Sequence, residues 1–169
     1  NYLQAVPEQQ ALGEAERLAA ELPGSADAHY ALGLLRARRG DRDRAVESFR
    51  QAIRLRDDFA EAHAALGEIL GDLESLRTAV RIDPRVAAPR LNLGRLLYQS
   101  GNTAEGTREF RAVVRRHPAF AEAHLSLGVA LGEQGDLDRA IREFREVLRL
   151  APGNAEAAQN LRQALEMKR

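Results

Sequence analysis

Three histidines stand at the same place in a recurring phrase: His29 in ADAHYALG, His63 in AEAHAALG and His124 in AEAHLSLG. Imidazole is a common metal ligand, so the set invites a metal centre. The spacing argues against one. Zinc donors must converge within about 2.1 Å of a single ion. Equivalent side chains on neighbouring packed helical units stand about 8–10 Å apart, one helix–helix distance. The histidines therefore read as part-buried packing residues, and His117, beside Pro118, as a turn residue on the surface. Ser126 lies only two residues from His124, on a different face of a helix, so the two make no nucleophile–base pair. Asp27, Glu61, Glu122 and Glu156 form a second series. It can be an acidic stripe, but each member would sit in a helix's first turn, where negative charge suits the dipole, and that reading is preferred. No phosphate loop, nucleophile constellation or metal motif is present. The expectation is a chain that is not an enzyme, with no metal and no cofactor. Cysteine is absent. That removes disulfides, thiolate metal sites and covalent haem attachment, and it names no compartment.

The elements that carry these residues recur. AAPRLNLG at 87–94 and AEAAQNLR at 155–162 extend the first phrase. Its glycines are Gly33, Gly67, Gly94 and Gly128, spaced 34, 27 and 34 apart. A period in this range marks stacked helical or strand repeats and takes precedence over other readings. A second phrase follows each glycine: GDRDRAVESFRQAIRLRD at 40–57, GNTAEGTREFRAVVRRHP at 101–118 and GDLDRAIREFREVLRLAP at 135–152. This resembles the tetratricopeptide repeat, a helix–turn–helix unit of 34 residues. Leu127-Gly128, Leu131, Ala140, Phe144 and Pro152 fill the family's pattern. So do Leu93-Gly94, Leu97, Phe110 and Pro118, with Gly106 where Ala is usual, and Leu32-Gly33, Ala45 and Phe49. Arg36 replaces the family's Tyr, and Asp57 its Pro. The Trp position holds His29, His63, Arg90 and His124. The resemblance covers about residues 7–169. It implies an all-α, right-handed superhelical solenoid of antiparallel helix pairs that binds other proteins.

On this reading residues 1–169 form one array. A lone helix over 7–22 resembles the second helix of a unit, with Ala11, Ala15, Leu18, Ala19 and Leu22 at helical spacing. Repeats follow at 26–59, 60–86, 87–120 and 121–154. Gly40-Asp41, Gly101-Asn102 and Gly135-Asp136 serve as turn and N-cap. A polar capping helix at 155–169 turns Ala158, Leu161 and Leu165 inward, and Arg162 replaces the packing glycine. The repeat at 60–86 is seven residues short. Two accounts fit: a deletion of about one turn from each helix around Gly71-Asp72, which keeps the apolar faces in phase, or residues missing from the sequence. The arginines Arg50, Arg54, Arg142, Arg145 and Arg149 alternate with Glu47, Glu143 and Glu146, as on a solvated outer face.

The 169 residues are 44% apolar and 30% charged, with no Trp and zero net charge. Leu and Ala must fill the interior. Balanced charge gives no footprint for nucleic acid, and no apolar run approaches the ~20 residues of a membrane span. Lys168 is the single lysine among 25 basic residues, a bias expected of GC-rich coding and a bacterial source. The chain begins at Asn1 and carries no signal sequence, as expected of a processed form or part of a longer protein.

In a right-handed stack of such units the first helices line the concave side. The resemblance then places Tyr30, Ala31, Leu34 and Arg38 in a groove. Ala64, Ala65 and Glu68 follow from the next unit, then Leu91, Asn92, Arg95, Tyr98 and Gln99. Leu125, Ser126, Val129 and Glu133 complete it. This trough, mixed around Asn92 and Arg95, suits an extended or helical peptide with apolar anchors. Chaperone-tail binders of the family use a basic clamp of Lys, Arg and Asn; only Asn92 and Arg95 resemble it, which argues against that ligand. Two readings follow: an adaptor holding a protein or peptide partner in the groove, or a structural subunit stacking end to end through its terminal helices. The apolar Tyr2, Leu3, Val6 and Leu12 would serve the second.

Overall fold

The computed structural model describes residues 2–169, with side chains from Gln9 onward. Among these residues there are ten α-helices and no strand. They are α1 (Tyr2–Glu21), α2 (Ala26–Arg38), α3 (Arg42–Leu55), α4 (Ala60–Leu70), α5 (Leu73–Ile82), α6 (Ala87–Gln99), α7 (Thr103–Arg116), α8 (Ala121–Glu133), α9 (Leu137–Leu150) and α10 (Ala155–Met167). They group into two compact units, Asn1–Pro84 and Arg85–Arg169.

Within each unit the helices pair as hairpins, α2 with α3, α4 with α5, α6 with α7 and α8 with α9. One contact recurs in three hairpins. A Cβ added at Gly33 would lie 2.5 Å from the Phe49 ring; at Gly94, 2.7 Å from Phe110; at Gly128, 2.7 Å from Phe144. The missing side chain makes the space that the ring fills, and all three rings are at most 3% exposed. The turn that returns the chain is equally regular. Gly40, Gly71, Gly101 and Gly135 all have φ between 67° and 88°, a left-handed conformation that a side chain would strain. Asp41, Asp72 and Asp136 then accept a hydrogen bond from the backbone N–H three residues on, at 3.4, 2.9 and 3.2 Å. Asn102 departs from the expected cap. Its side chain makes no capping bond and instead donates to Ser100 Oγ at 3.5 Å.

The short repeat closes as a complete hairpin of 11 and 10 residues. Gly67 lies four residues before its turn glycine, where the other repeats have seven. The helix α4 is two residues shorter than α2, and α5 is four shorter than α3. Leu76 thereby reaches the ring's place: a Cβ on Gly67 would meet Leu76 Cγ at 2.7 Å and its backbone N at 3.0 Å. The helices cross with backbone near backbone, and a leucine suffices where the longer hairpins need a phenylalanine.

Two terminal readings are corrected. The first helix begins at Tyr2 rather than at residue 7. Its packed stripe is Leu12, Ala15 and Ala19, against Ala28 and Leu32, while Leu18 and Leu22 are 44% and 50% exposed. The expectation for Tyr2, Leu3 and Val6 lies outside the described side chains. In α10 the innermost residues are Ala157 and Ala164, Ala158 and Leu161 are half-buried, and Leu165 is 38% exposed. In α8 the counterparts Leu127 and Leu131 are covered by a second helix of the hairpin; α10 has none here, so the same stripe stays open.

Gly106 gives a stability test. It stands where Ala45 and Ala140 stand in other repeats, and a Cβ there would meet Gly94 O at 2.7 Å and Tyr98 N at 3.0 Å, both backbone atoms that cannot step aside. Gly106→Ala is expected to destabilise by about 1–3 kcal/mol in urea unfolding. Gly132→Ala, whose Cβ meets only Ala140 Cβ at 3.8 Å, should stabilise by about 0.5–1 kcal/mol through helix propensity. Equal effects of the two would show that the α6–α7 crossing is not limited by backbone contact.

Candidate partner-binding groove

The histidines have a structural task. Nε2 donates to the carbonyl six residues upstream in each case: His29 to Pro23 at 3.1 Å, His63 to Asp57 at 3.0 Å, His124 to Pro118 at 2.9 Å. Each ring ties the loop between repeats to the helix that follows. His124 also places Nδ1 2.6 Å from Glu143. Arg90, in the same repeat position, bridges to Glu109 at 2.8 Å, and Glu109 is the counterpart of Glu143. Glu143 therefore points into the helix packing, not along the solvated outer face. His117 is also corrected. It is half-buried and donates to Arg85 O at 2.8 Å. Arg36, in the family's Tyr position, donates to Ser48 at 2.9 Å and pairs with Glu16 at 3.1 Å, joining α1, α2 and α3. Among the described residues no three His, Cys, Asp or Glu are grouped as metal ligands.

In the Arg85–Arg169 unit, α6, α8 and α10 lie side by side and two clefts open along them. One, of about 340 Å³, is lined by Arg95, Tyr98 and Gln99 of α6, Leu125, Ser126 and Val129 of α8, Glu156 of α10, and Phe110 beneath. The other, of about 250 Å³, is lined by Val129, Gly132 and Glu133 of α8, Leu137 and Phe144 of α9, and Asn160, Gln163, Ala164 and Met167 of α10. Val129 belongs to both, so the apolar floor is continuous. Of the expected groove residues here, Arg95, Tyr98, Gln99, Leu125, Ser126, Val129 and Glu133 line the clefts. Asn92 is half-buried outside both linings.

Leu91 is a correction. It is 1% exposed and packs with Phe110, Val113, Ala123 and Leu127, so it is core, not groove. It lies one helical turn before Arg95, but on the side turned towards α8.

The polar groups of the trough are also less available than expected. Arg95 bridges to Glu122 of α8 at 3.3 Å. The Tyr98 hydroxyl donates a short hydrogen bond to Glu133 at the far end of α8. Burial, followed by the bond to Glu133 and its charge, pushes the Tyr98 phenol up to about 12. Tyr98 is thus a neutral donor at ordinary pH. The two struts hold α6 against α8, and the apolar floor lies between them.

In the Asn1–Pro84 unit the expected residues are more scattered. Tyr30 is half-buried and packs on Phe59 and Phe49, with ring centroids 4.9 and 5.9 Å away. Its phenol is raised by burial first, then by Glu61 and Glu68. Ala64 is buried in the core, whereas Leu34, Arg38 and Glu68 are exposed. The cation that faces an aromatic ring is Arg56, 3.6 Å from the Phe59 centroid and paired with Asp27 at 2.7 Å.

Asn160, Gln163 and Met167 were missed by the sequence reading, although adding 34 to Ser126, Val129 and Glu133 reaches them. The polar face of α10 fits a capping helix as well as a groove wall, so spacing alone does not separate the two. Tyr98 offers a pH test. Its raised pKa favours the folded state fully below pH 10 and loses that effect as pH rises towards 12. The ultraviolet difference titration between wild type and Tyr98→Phe should show phenolate forming near pH 12; a midpoint at 10 would remove the strut to Glu133.

Tetratricopeptide repeat models match residues 26–59 and 91–155, together more than half of the chain. No curated protein sequence matches. Among solved structures, MamA residues 41-end from Desulfovibrio magneticus RS-1 is similar over 90% of each chain at 22% identity, with a TM-score of 0.77. YrrB, described as a TPR protein with an unusual peptide-binding site, is similar over 94% of this chain and 86% of its own, at 22% identity and a TM-score of 0.74. TTC0263, a thermophilic TPR protein of Thermus thermophilus, is similar over 98% of this chain and 94% of its own, at 20% identity and a TM-score of 0.71. With the repeated helix hairpins and their glycine-to-ring contacts, these matches place the chain in the tetratricopeptide repeat family.

Proposed function

We propose that this chain is a non-enzymatic interaction module that holds a peptide or partner helix on the first helices of its repeats. The observation that carries the proposal is the trough over α6, α8 and α10. Its floor of Leu125, Val129 and Phe110 is open between two cross-helix struts. Apolar side chains on a preorganised floor are what a peptide anchor needs, since little is lost in ordering the receptor. The peptide-binding site ascribed to YrrB supports the same use for a similar fold. A photo-crosslinking residue placed at Ser126 should capture a partner in an extract of the source organism. The same residue at Arg111, exposed on α7 and outside both clefts, should not. Adducts from both positions, or from Arg111 alone, would remove the groove as the binding site.

End-to-end self-association is the second reading. It is favoured by the exposed apolar residues Leu18 of α1, Leu22 just beyond it, and Leu165 and Met167 of α10. Arg162 stands where Gly33, Gly94 and Gly128 admit a ring, so a second copy could not dock there as closely as a hairpin partner does. Light scattering that shows a monomer at high protein concentration removes this reading.

A further inference from the structure

The groove reading leaves the chemistry of the occupant open, and the charges along the trough of the Arg85–Arg169 unit narrow it. Three charged residues line the two clefts: Arg95, Glu133 and Glu156. Arg95 is already compensated by Glu122 at 3.3 Å. Glu133 receives its hydrogen bond from Tyr98, which stays neutral, so its charge is not cancelled. Glu156 forms no ion pair among the described residues and is exposed. The apolar floor is therefore flanked by two carboxylates with no cation of their own.

Their separation follows from helix geometry. Glu156 is the counterpart of Glu122 one repeat later, at the start of its helix, and Glu133 ends α8. Eleven residues separate positions 122 and 133, about 16 Å along a helix at about 1.5 Å per residue, and the step from α8 to α10 adds about 8–10 Å sideways, so the two carboxylates stand about 19 Å apart. An extended chain advances about 3.3 Å per residue, so about five to six residues cover that span.

Resting on the groove reading, we propose that the trough of this unit takes an extended basic peptide segment, with two Arg or Lys residues about five to six positions apart and apolar side chains between them. The apolar side chains seat over Leu125 and Val129, and the cations reach Glu156 at one end and Glu133 at the other. A partner ending in acidic residues is disfavoured at both ends, since like charges would meet across the trough.

The test uses three end-blocked hexapeptides with one apolar core, RALLAR, QALLAQ and EALLAE, titrated against the full chain by calorimetry at low salt. The basic peptide is expected to bind about tenfold more tightly than the acidic one, with the neutral peptide between, because each exposed pair is weak and two act together. That preference should shrink as salt is added. Glu133→Gln, which still accepts from Tyr98, and Glu156→Gln should each lower affinity for RALLAR severalfold and leave QALLAQ unchanged. Glu166→Gln, an exposed charge on α10 that lines neither cleft, should change nothing. Val129→Trp, a neutral side chain that fills the floor, should abolish binding of all three while circular dichroism confirms the fold. If the three peptides bind equally, or EALLAE binds most tightly, and Val129→Trp still abolishes binding, the basic occupant is overturned and the groove reading stands. If no peptide binds, or Val129→Trp is without effect, both are overturned.

Discussion

The helix hairpins of this protein are built around residues that lack a side chain. Gly33, Gly94 and Gly128 each leave room for one phenylalanine ring from the paired helix, and each ring is at most 3% exposed. Any Cβ at these glycines would overlap the ring by more than packing tolerates. The contact fixes how far each first helix stands from its second. It also fixes which faces of both helices remain to meet the next hairpin. The short repeat obeys the same constraint by another route. Two shortened helices bring backbone to backbone at Gly67, and Leu76 takes the ring's role.

Polar groups then set what the apolar packing leaves loose. His29, His63 and His124 pin inter-repeat loops to the following helices, each through one carbonyl six residues back. The caps at Asp41, Asp72 and Asp136 fix where second helices begin. Between α6 and α8, the Arg95–Glu122 and Tyr98–Glu133 pairs act as struts across the mouth of a trough. These pairs are partly exposed, so their worth to stability is small. Their effect is geometric: they tie α6 to α8 on either side of an apolar floor. Under the proposed function, such a trough selects a complementary segment without first having to order itself.

The groove was legible in outline and wrong in detail for a physical reason. Helical spacing says which residues share a face, but a first helix has two buried sides, one against its own hairpin partner and one against its neighbours. Leu91 and Leu125 occupy equivalent repeat positions, 34 apart, yet Leu91 is sealed under α8 while Leu125 lies half-open beside α10. Arg95 and Tyr98 appeared as free recognition groups because their partners, 27 and 35 residues away, are not visible from spacing alone.

The sequence by itself determined the repeat: its period, its hairpin turns, its small residues at helix crossings and the buried or part-buried placing of His29, His63 and His124. These are local in kind, since each depends on φ, side-chain volume or helical register, which a residue carries with it. The tertiary structure alone decided which carboxylates are spoken for, which leucines are sealed and where an apolar floor remains open. Those depend on distances between helices far apart in the chain, and such distances exist only once the hairpins have packed.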